Sequence, residues 1–214
     1  MRPAVPHQLP VLDDALRTAV ARNLASFERQ SCPLEGRRAA AVAIAIVGDA
    51  EGRPCFVLTR RAERLKNHGG QWALPGGRND ARETSQDAAL RELHEEVGLE
   101  LTLADVLGSL DDYPTRSGFV ITPVVVWGGS VDELRPDARE VAAAYLVPLA
   151  ELDRPEVPHL RSIPESDRPV ISIPLMGTHI HAPTAAILYQ LREVALCGRA
   201  TRVAHFEQPT FAWR

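Results

Sequence analysis

Between Ser85 and Val97, apolar side chains recur at Ala89, Leu93 and Val97 with Leu90 beside them. This i, i+4, i+8 spacing lays one apolar stripe along a helix of 3.6 residues per turn. Thr84 or Ser85 can cap its start, Asp87 sits at the capping-box position for Thr84, and Gly98 suits a left-handed stop. Upstream, AAAVAIAIV (39–47) and CFVLTRR (55–61) are apolar runs separated by a glycine-containing turn, which predicts two strands. The pattern further predicts a helix near 11–29 and strands near 103–110, 117–127, 143–148 and 170–175. A proline-rich loop spans Pro155 to Pro169, and a helix follows from about 183 to 196. That order predicts an α/β fold, a mixed sheet sandwiched between helices as one domain over 1–214.

The same helix places Glu92, Glu95 and Glu96 within one turn. Like charges at this spacing repel and destabilise an isolated helix by a few tenths of a kcal/mol per pair, about 0.2–0.5. A divalent metal reverses the sign, because hard cations such as Mg²⁺ prefer oxygen ligands. Glu92 and Glu96 fall on the border of the apolar stripe and Glu95 further round, so two carboxylates face the edge of a cleft. A solvated acidic helix face is the alternative that this spacing leaves open.

The full string from Gly77 to Leu99 reads Gly-x5-Glu-x7-Arg-Glu-aliphatic-x-Glu-Glu-x-Gly-aliphatic, with Gly77, Glu83, Arg91, Glu92, Leu93, Glu95, Glu96, Gly98 and Leu99 filling the defined positions. It resembles the Nudix box. The resemblance implies an α/β/α sandwich and hydrolysis of a nucleoside diphosphate linked to another moiety, with Mg²⁺ or Mn²⁺ and water. Such a reaction brings water onto a phosphorus surrounded by negative oxygens, so it needs charge neutralisation and a deprotonated nucleophile, both of which a metal provides. By the resemblance, Glu92 and Glu96 are the main metal ligands, Glu95 is a further ligand or a group behind the ligands, and the Gly77 carbonyl is a backbone ligand. Arg91 and Glu83 are expected to orient loop and helix through charge-assisted hydrogen bonds. Family members differ in whether the general base comes from the box, where Glu92 and Glu95 stand, or from a later loop. Glu140, in PDAREVAAAYLVPL just before a predicted strand, is the candidate outside the box, its alternative being a surface acid. Asp111 and Asp112 in LDDYPTRSGF are further acids for which a turn role is the simpler reading.

The preceding block, VLTRRAERLKNHGGQWALPGG, gathers Arg60, Arg61, Arg64 and Lys66 ahead of the box. Arg60, Arg61 and Lys66 are the expected phosphate contacts, Arg as a bidentate fork and Lys as a point charge, with solvated surface charge the alternative for some of this block. Leu58, Thr59, Arg61, Ala62, Gly70, Pro75, Gly76 and Gly77 are similar to the signature of the coenzyme A pyrophosphatase-like Nudix subgroup. Lys66 and Leu74 depart from it, standing where the signature has Arg and Phe. GSLDDYPTRSGFVITPVVV (108–126) and MGTHIHAPTAAIL (176–188) extend the likeness, with His181-Ala182-Pro183 in place of an aromatic and a glycine. The resemblance therefore implies coenzyme A or a CoA derivative as substrate, with ADP-ribose or a dinucleotide as alternatives. A catalytically silent nucleotide-binding sensor is a further alternative that the intact carboxylate set disfavours.

Of 214 residues, 45% are hydrophobic and 24% charged, which fits a folded soluble domain. A net charge of −4 argues against a dedicated nucleic-acid binder. Cys32, Cys55 and Cys197 form no CxxC pair, so reduced thiols in a cytoplasmic setting are expected. Neither a signal peptide nor a membrane span is predicted. His179 and His181 alternate on a strand and share a face without a third nitrogen or sulfur ligand nearby in sequence, so packing or substrate contact is expected. Trp72, Trp127 and Trp213 are expected in the core or an interface, and the N-terminal helix and aromatic tail are candidates to mediate a homodimer.

Overall fold

A computed structural model describes residues 11–64 and 69–212. Lys66 and Trp213 lie outside the described residues. The helix predicted near 11–29 is α1, Asp14–Ala25, capped by Asp13, whose Oδ1 accepts the Leu16 N–H at 2.8 Å. It stops early because the Ser26 hydroxyl turns back onto the Arg22 carbonyl at 2.9 Å, and the chain then runs out so that Gln30 N–H reaches Asp111 at 2.7 Å.

β1 (Arg38–Gly48), β2 (Pro54–Arg61), β3 (Trp72–Ala73), β4 (Gly76–Arg78), β5 (Val106–Ser109), β6 (Tyr113–Pro114), β7 (Phe119–Ser130) and β8 (Val141–Pro148) form one sheet. β1 and β7 run parallel and the other pairs antiparallel, giving the mixed sheet expected. The strand predicted near 103–110 opens instead with a 3₁₀ turn, Leu103–Asp105. Asp105 accepts from the backbone and hydroxyl of Thr102 at 2.8 and 3.0 Å, a local alternative to the ladder.

Along β1 the alternation sorts side chains by size. Ala41, Ala43, Ala45 and Val47 face α2 (Ser85–Val97), packing with Ala88, Ala89, Leu93 and Val97. Small residues there let the helix lie close to the sheet. Ile44 and Ile46 face the other way with Phe56 and Leu58, under α1 and α3 (Thr184–Gln190). The closing helix keeps its predicted span, but after Gln190 it continues to Leu196 as a π turn.

The proline-rich stretch is not a loop throughout. β9 (His159–Ile163) and β10 (Ser166–Leu175) form a hairpin, and β11 (Thr178–His181) completes a second, antiparallel sheet. Its prolines occupy positions that spare the ladder: Pro158 before the strand, Pro164 in the turn, and Pro169 where the register shifts between Ser166 and Val170. Among the described residues, no helix is long and apolar enough to cross a membrane.

Glu207 ties this sheet to the C-terminal segment. Fully buried, it accepts from Arg116 at 2.6 Å, Arg168 at 2.9 Å, the Ser166 hydroxyl at 3.0 Å and the Gln208 N–H at 2.9 Å. Burial pushes its carboxyl upward, but the Arg116, Gln208, Arg168 and Ser166 hydrogen bonds together pull it down to about 2, below the ordinary 4.5. A depressed carboxyl contributes stability above the ordinary value and loses it as pH falls through the folded one. Glu207→Gln is expected to lower unfolding stability at pH 7 by about 1–3 kcal/mol, and wild type is expected to lose that advantage between about pH 4.5 and 2. Urea titrations at pH 7 and 3 check this; equal stabilities at pH 7 would contradict it.

Candidate active site

β1 and β2 pair only where Ile46–Gly48 meet Pro54–Phe56, and beyond that point they separate. The 72–78 segment enters the fork, with Trp72 and Ala73 adding to Arg60 and Thr59 on one side. On the other side, Gly76, Gly77 and Arg78 add to Val42, Ala41 and Ala40. α2 lies across this insertion. Its start is the predicted capping box: Thr84 Oγ1 accepts the Asp87 N–H at 3.2 Å and Asp87 accepts the Thr84 N–H at 3.3 Å. Gly98 ends it with φ of 72°.

Gly77 has no room for a side chain. A Cβ there would stand 2.1 Å from Glu92 Oε1, so the backbone meets the carboxylate directly. Arg91 fastens loop to helix: it forks onto Glu83 at 2.9 and 3.0 Å and donates to the Arg78 carbonyl at 3.1 Å. It also donates to Glu92 at 2.9 Å and Glu95 at 3.0 Å. The Glu83 carboxyl is held below its usual range by Arg91.

Glu92, Glu96 and Glu140 come together, each offering an oxygen within 4.8 Å of the others. Glu140 arrives from the loop before β8, which is bound to the end of α2 by Arg135 N–H to Val97 O at 2.8 Å and Asp137 N–H to Glu96 O at 3.0 Å. The Ala62 N–H to Glu140 carbonyl bond at 2.9 Å ties it to the end of β2. The Glu96 side chain is only 3% exposed. Burial pushes its carboxyl up to about 8; Arg61, 3.8 Å away, opposes the rise, and Glu92 and Glu140 add to it. The Glu92 carboxyl is also raised, by burial first, then by Glu95 and Glu140, against Arg91. Hard oxygen donors this close are the ligand type a divalent cation takes, and the raised Glu96 carboxyl reflects burial together with negative charge that no neighbouring cation fully offsets.

Glu95 stands outside the three-carboxylate group: its side chain is 56% exposed and bonded to Arg91. Arg60 and Arg61 line a cavity of about 950 Å³ that reaches Gly76 and Gly77. Arg60 also approaches Glu63 at 3.4 Å. Asp111 and Asp112 are elsewhere and serve the fold. Asp111 accepts from Gln30, Gln190 and Arg202, while Asp112 accepts from Cys32, Thr122 and Arg29.

The cavity wall also carries Arg38, Arg78 and Phe119, which no local pattern marks because three strands bring them together. His179 and His181 line it too, and the structure adds a third histidine: His159 Nδ1 and His179 Nδ1 lie 3.3 and 3.1 Å from the Ser172 hydroxyl. The three do not form a metal-ligating cluster among the described residues. His181 Nδ1 is buried without a partner, and burial, then His179 and Arg161, hold its pKa below the usual value.

Residues 37–169 match the family model of the NUDIX domain. A protein of Yersinia enterocolitica described as an uncharacterized Nudix hydrolase, NudL, is 40% identical over 113 residues, covering 52% of this chain and 57% of its own length. The NudL of Enterobacter sp. strain 638 is 41% identical over 118 residues, covering 54% and 59%. The chain thus spans little more than half the length of these relatives. A MutT/nudix family protein of known structure from Enterococcus faecalis is 16% identical and covers 87% of this chain and 75% of its own, with a TM-score of 0.51. The architecture is the Nudix fold, and with the domain match running over more than half of its length the chain belongs to the Nudix family.

Proposed function

We propose that this chain is a Mg²⁺- or Mn²⁺-dependent diphosphatase acting on a nucleoside diphosphate linked to another moiety, with coenzyme A or a CoA derivative as substrate. The observation that carries the reading is the group of Glu92, Glu96 and Glu140 beside a cavity walled by Arg60 and Arg61. Those three carboxylates are the metal-holding set, with the Gly77 carbonyl as a backbone ligand, and Glu95 acts through Arg91. A divalent ion held there would supply charge to neutralise phosphoryl oxygens and would lower the pKa of water.

The chain's own residues do the rest. Arg60 and Arg61 draw the diphosphate against the fork and hold its oxygens. Glu140, the exposed member of the group, would face the metal with one carboxylate oxygen and take the proton of the adding water on the other. The bond from phosphorus to the bridging oxygen breaks, and each half leaves with a phosphate. Arg91 and Glu83 keep Gly77 and Glu92 in contact throughout.

Coenzyme A is supported by the signature residues from Leu58 to Gly77. Leu74 is 3% exposed and sits in the core, so its departure from Phe concerns packing and not substrate contact. Met176 and Phe211, 45% and 59% exposed at the cavity, offer apolar surface to a pantetheine or acyl chain.

Glu96→Gln is expected to lower kcat by about 10³-fold, within the range for loss of a catalytic group. A carboxyl raised from 4.5 to about 8 lowers the stability of the metal-free protein as pH rises through that window. The melting temperature of metal-free wild type is therefore expected to fall between pH 5.5 and 8, and that of Glu96→Gln to fall less over the same range. Mg²⁺ should raise it more at pH 8 than at pH 5.5. Full activity in the variant, or an equal Mg²⁺ response at both pH values, would overturn the metal role.

The substrate is tested by a hydrolysis screen over coenzyme A, acyl-CoA, ADP-ribose and NADH with products resolved by mass. Preferential release of 4′-phosphopantetheine and adenosine bisphosphate is expected. Preferential cleavage of ADP-ribose or NADH would discard coenzyme A while keeping the mechanism, and Mg²⁺-independent binding without turnover would favour a sensor.

A further inference from the structure

Two cations in the cavity have no role in the reaction just described. Arg38 opens β1 and Arg78 closes β4; both side chains are exposed, and among the described residues neither forms an ion pair. Both are nevertheless held. Arg38 pairs with Phe119 across the parallel β1 and β7 ladder and lays its guanidinium 4.4 Å from the ring centroid. Arg78, whose ladder partner is the small Ala40, reaches across it to 5.6 Å from the same centroid. One aromatic ring thus gathers two guanidinia within 5.6 Å of its centroid.

Strand alternation separates this patch from the carboxylates. A Cβ at Gly77 would point into Glu92, so Arg78, one residue later, projects to the opposite face of β4. The surroundings suit an anion: among the described residues lining the cavity there is no Asp or Glu, and Ser117 adds a hydroxyl on the same wall. In a chain of net charge −4, a cavity whose described lining carries four arginines and no carboxylate, two of those arginines gathered on one ring, is a built feature.

We infer that Arg38 and Arg78, gathered on Phe119, form a phosphomonoester subsite distinct from the scissile diphosphate. The preferred substrates are then nucleoside diphosphates that carry an additional phosphate monoester. Two guanidinium forks offer the parallel donors that a dianionic phosphate accepts, and a substrate without that group leaves them in water. The inference rests on the diphosphatase reading for its substrate, but the subsite itself is tested by binding.

Coenzyme A and 3′-dephospho-coenzyme A differ only in one phosphate monoester. Calorimetric titration of the full chain in EDTA is expected to show coenzyme A binding about tenfold more tightly, the worth of one charge-assisted contact. R38Q/R78Q should bring the two ligands within about twofold of each other with the melting temperature unchanged, and R38K/R78K should restore part of the preference. If the double variant melts lower, R38Q and R78Q singly give the same comparison. Equal affinity for both ligands in wild type, or a preference that survives the glutamine variants, would overturn the subsite. A preference lost in the variants without hydrolysis of coenzyme A would leave the subsite standing and remove the diphosphatase reading. Hydrolysis of both ligands with equal affinity would do the reverse.

Discussion

Three carboxylates held within 4.8 Å of one another, one of them almost wholly removed from water, repel each other in the absence of a counter-charge. Much of the structure around them serves to hold that arrangement. The cap at Thr84 and the stop at Gly98 fix the ends of α2, and alanines on β1 let the helix settle close to the sheet. Gly77 brings backbone against Glu92, Arg91 fastens loop to helix, and the 135–140 loop is hydrogen-bonded to the last turn of α2 so that Glu140 completes the group. Among the described residues, Arg61 alone forms an ion pair with Glu96, at 3.8 Å, too long for a hydrogen bond.

The fork between β1 and β2 then decides which side chains reach each face of the sheet. Because the two strands pair for only three residues, the inserted β3 and β4 carry Trp72 and Arg78 to the opposite side of the sheet from α2. The three carboxylates collect on the α2 side with Arg61 and Arg91 beside them, while Arg38 and Arg78 stand on the other, and the two sides meet at Gly76 and Gly77. This separation keeps Arg38 and Arg78 from pairing with the carboxylates of the α2 side.

Local chemistry made the α2 region legible. Its stripe, capping box, stop and the position of Glu96 at the buried edge all follow from spacing on one helix, and the structure keeps them. Glu95 differs because spacing places it near its neighbours but cannot show that Arg91 holds it at the surface. Glu140 could be named from its place before a strand, but its convergence with α2 depends on loop hydrogen bonds that no periodicity encodes. The 155–169 segment read as a loop because prolines dominate it, and only the hairpin shows that each proline sits where no ladder donor is required. Arg38, Arg78 and Phe119 were invisible for a similar reason, being far apart in sequence and joined only by strand register.

Under the function proposed above, Glu92, Glu96 and Glu140 hold a divalent cation while Glu95 stays on Arg91. Crystals soaked in Mn²⁺ and measured at its absorption edge test it directly through the anomalous difference map. A peak bounded by oxygens of Glu92, Glu96 and Glu140, with Glu95 still on Arg91, is the predicted result. A peak coordinated by Glu95 without Glu140, or no peak at the group under saturating Mn²⁺, would contradict it.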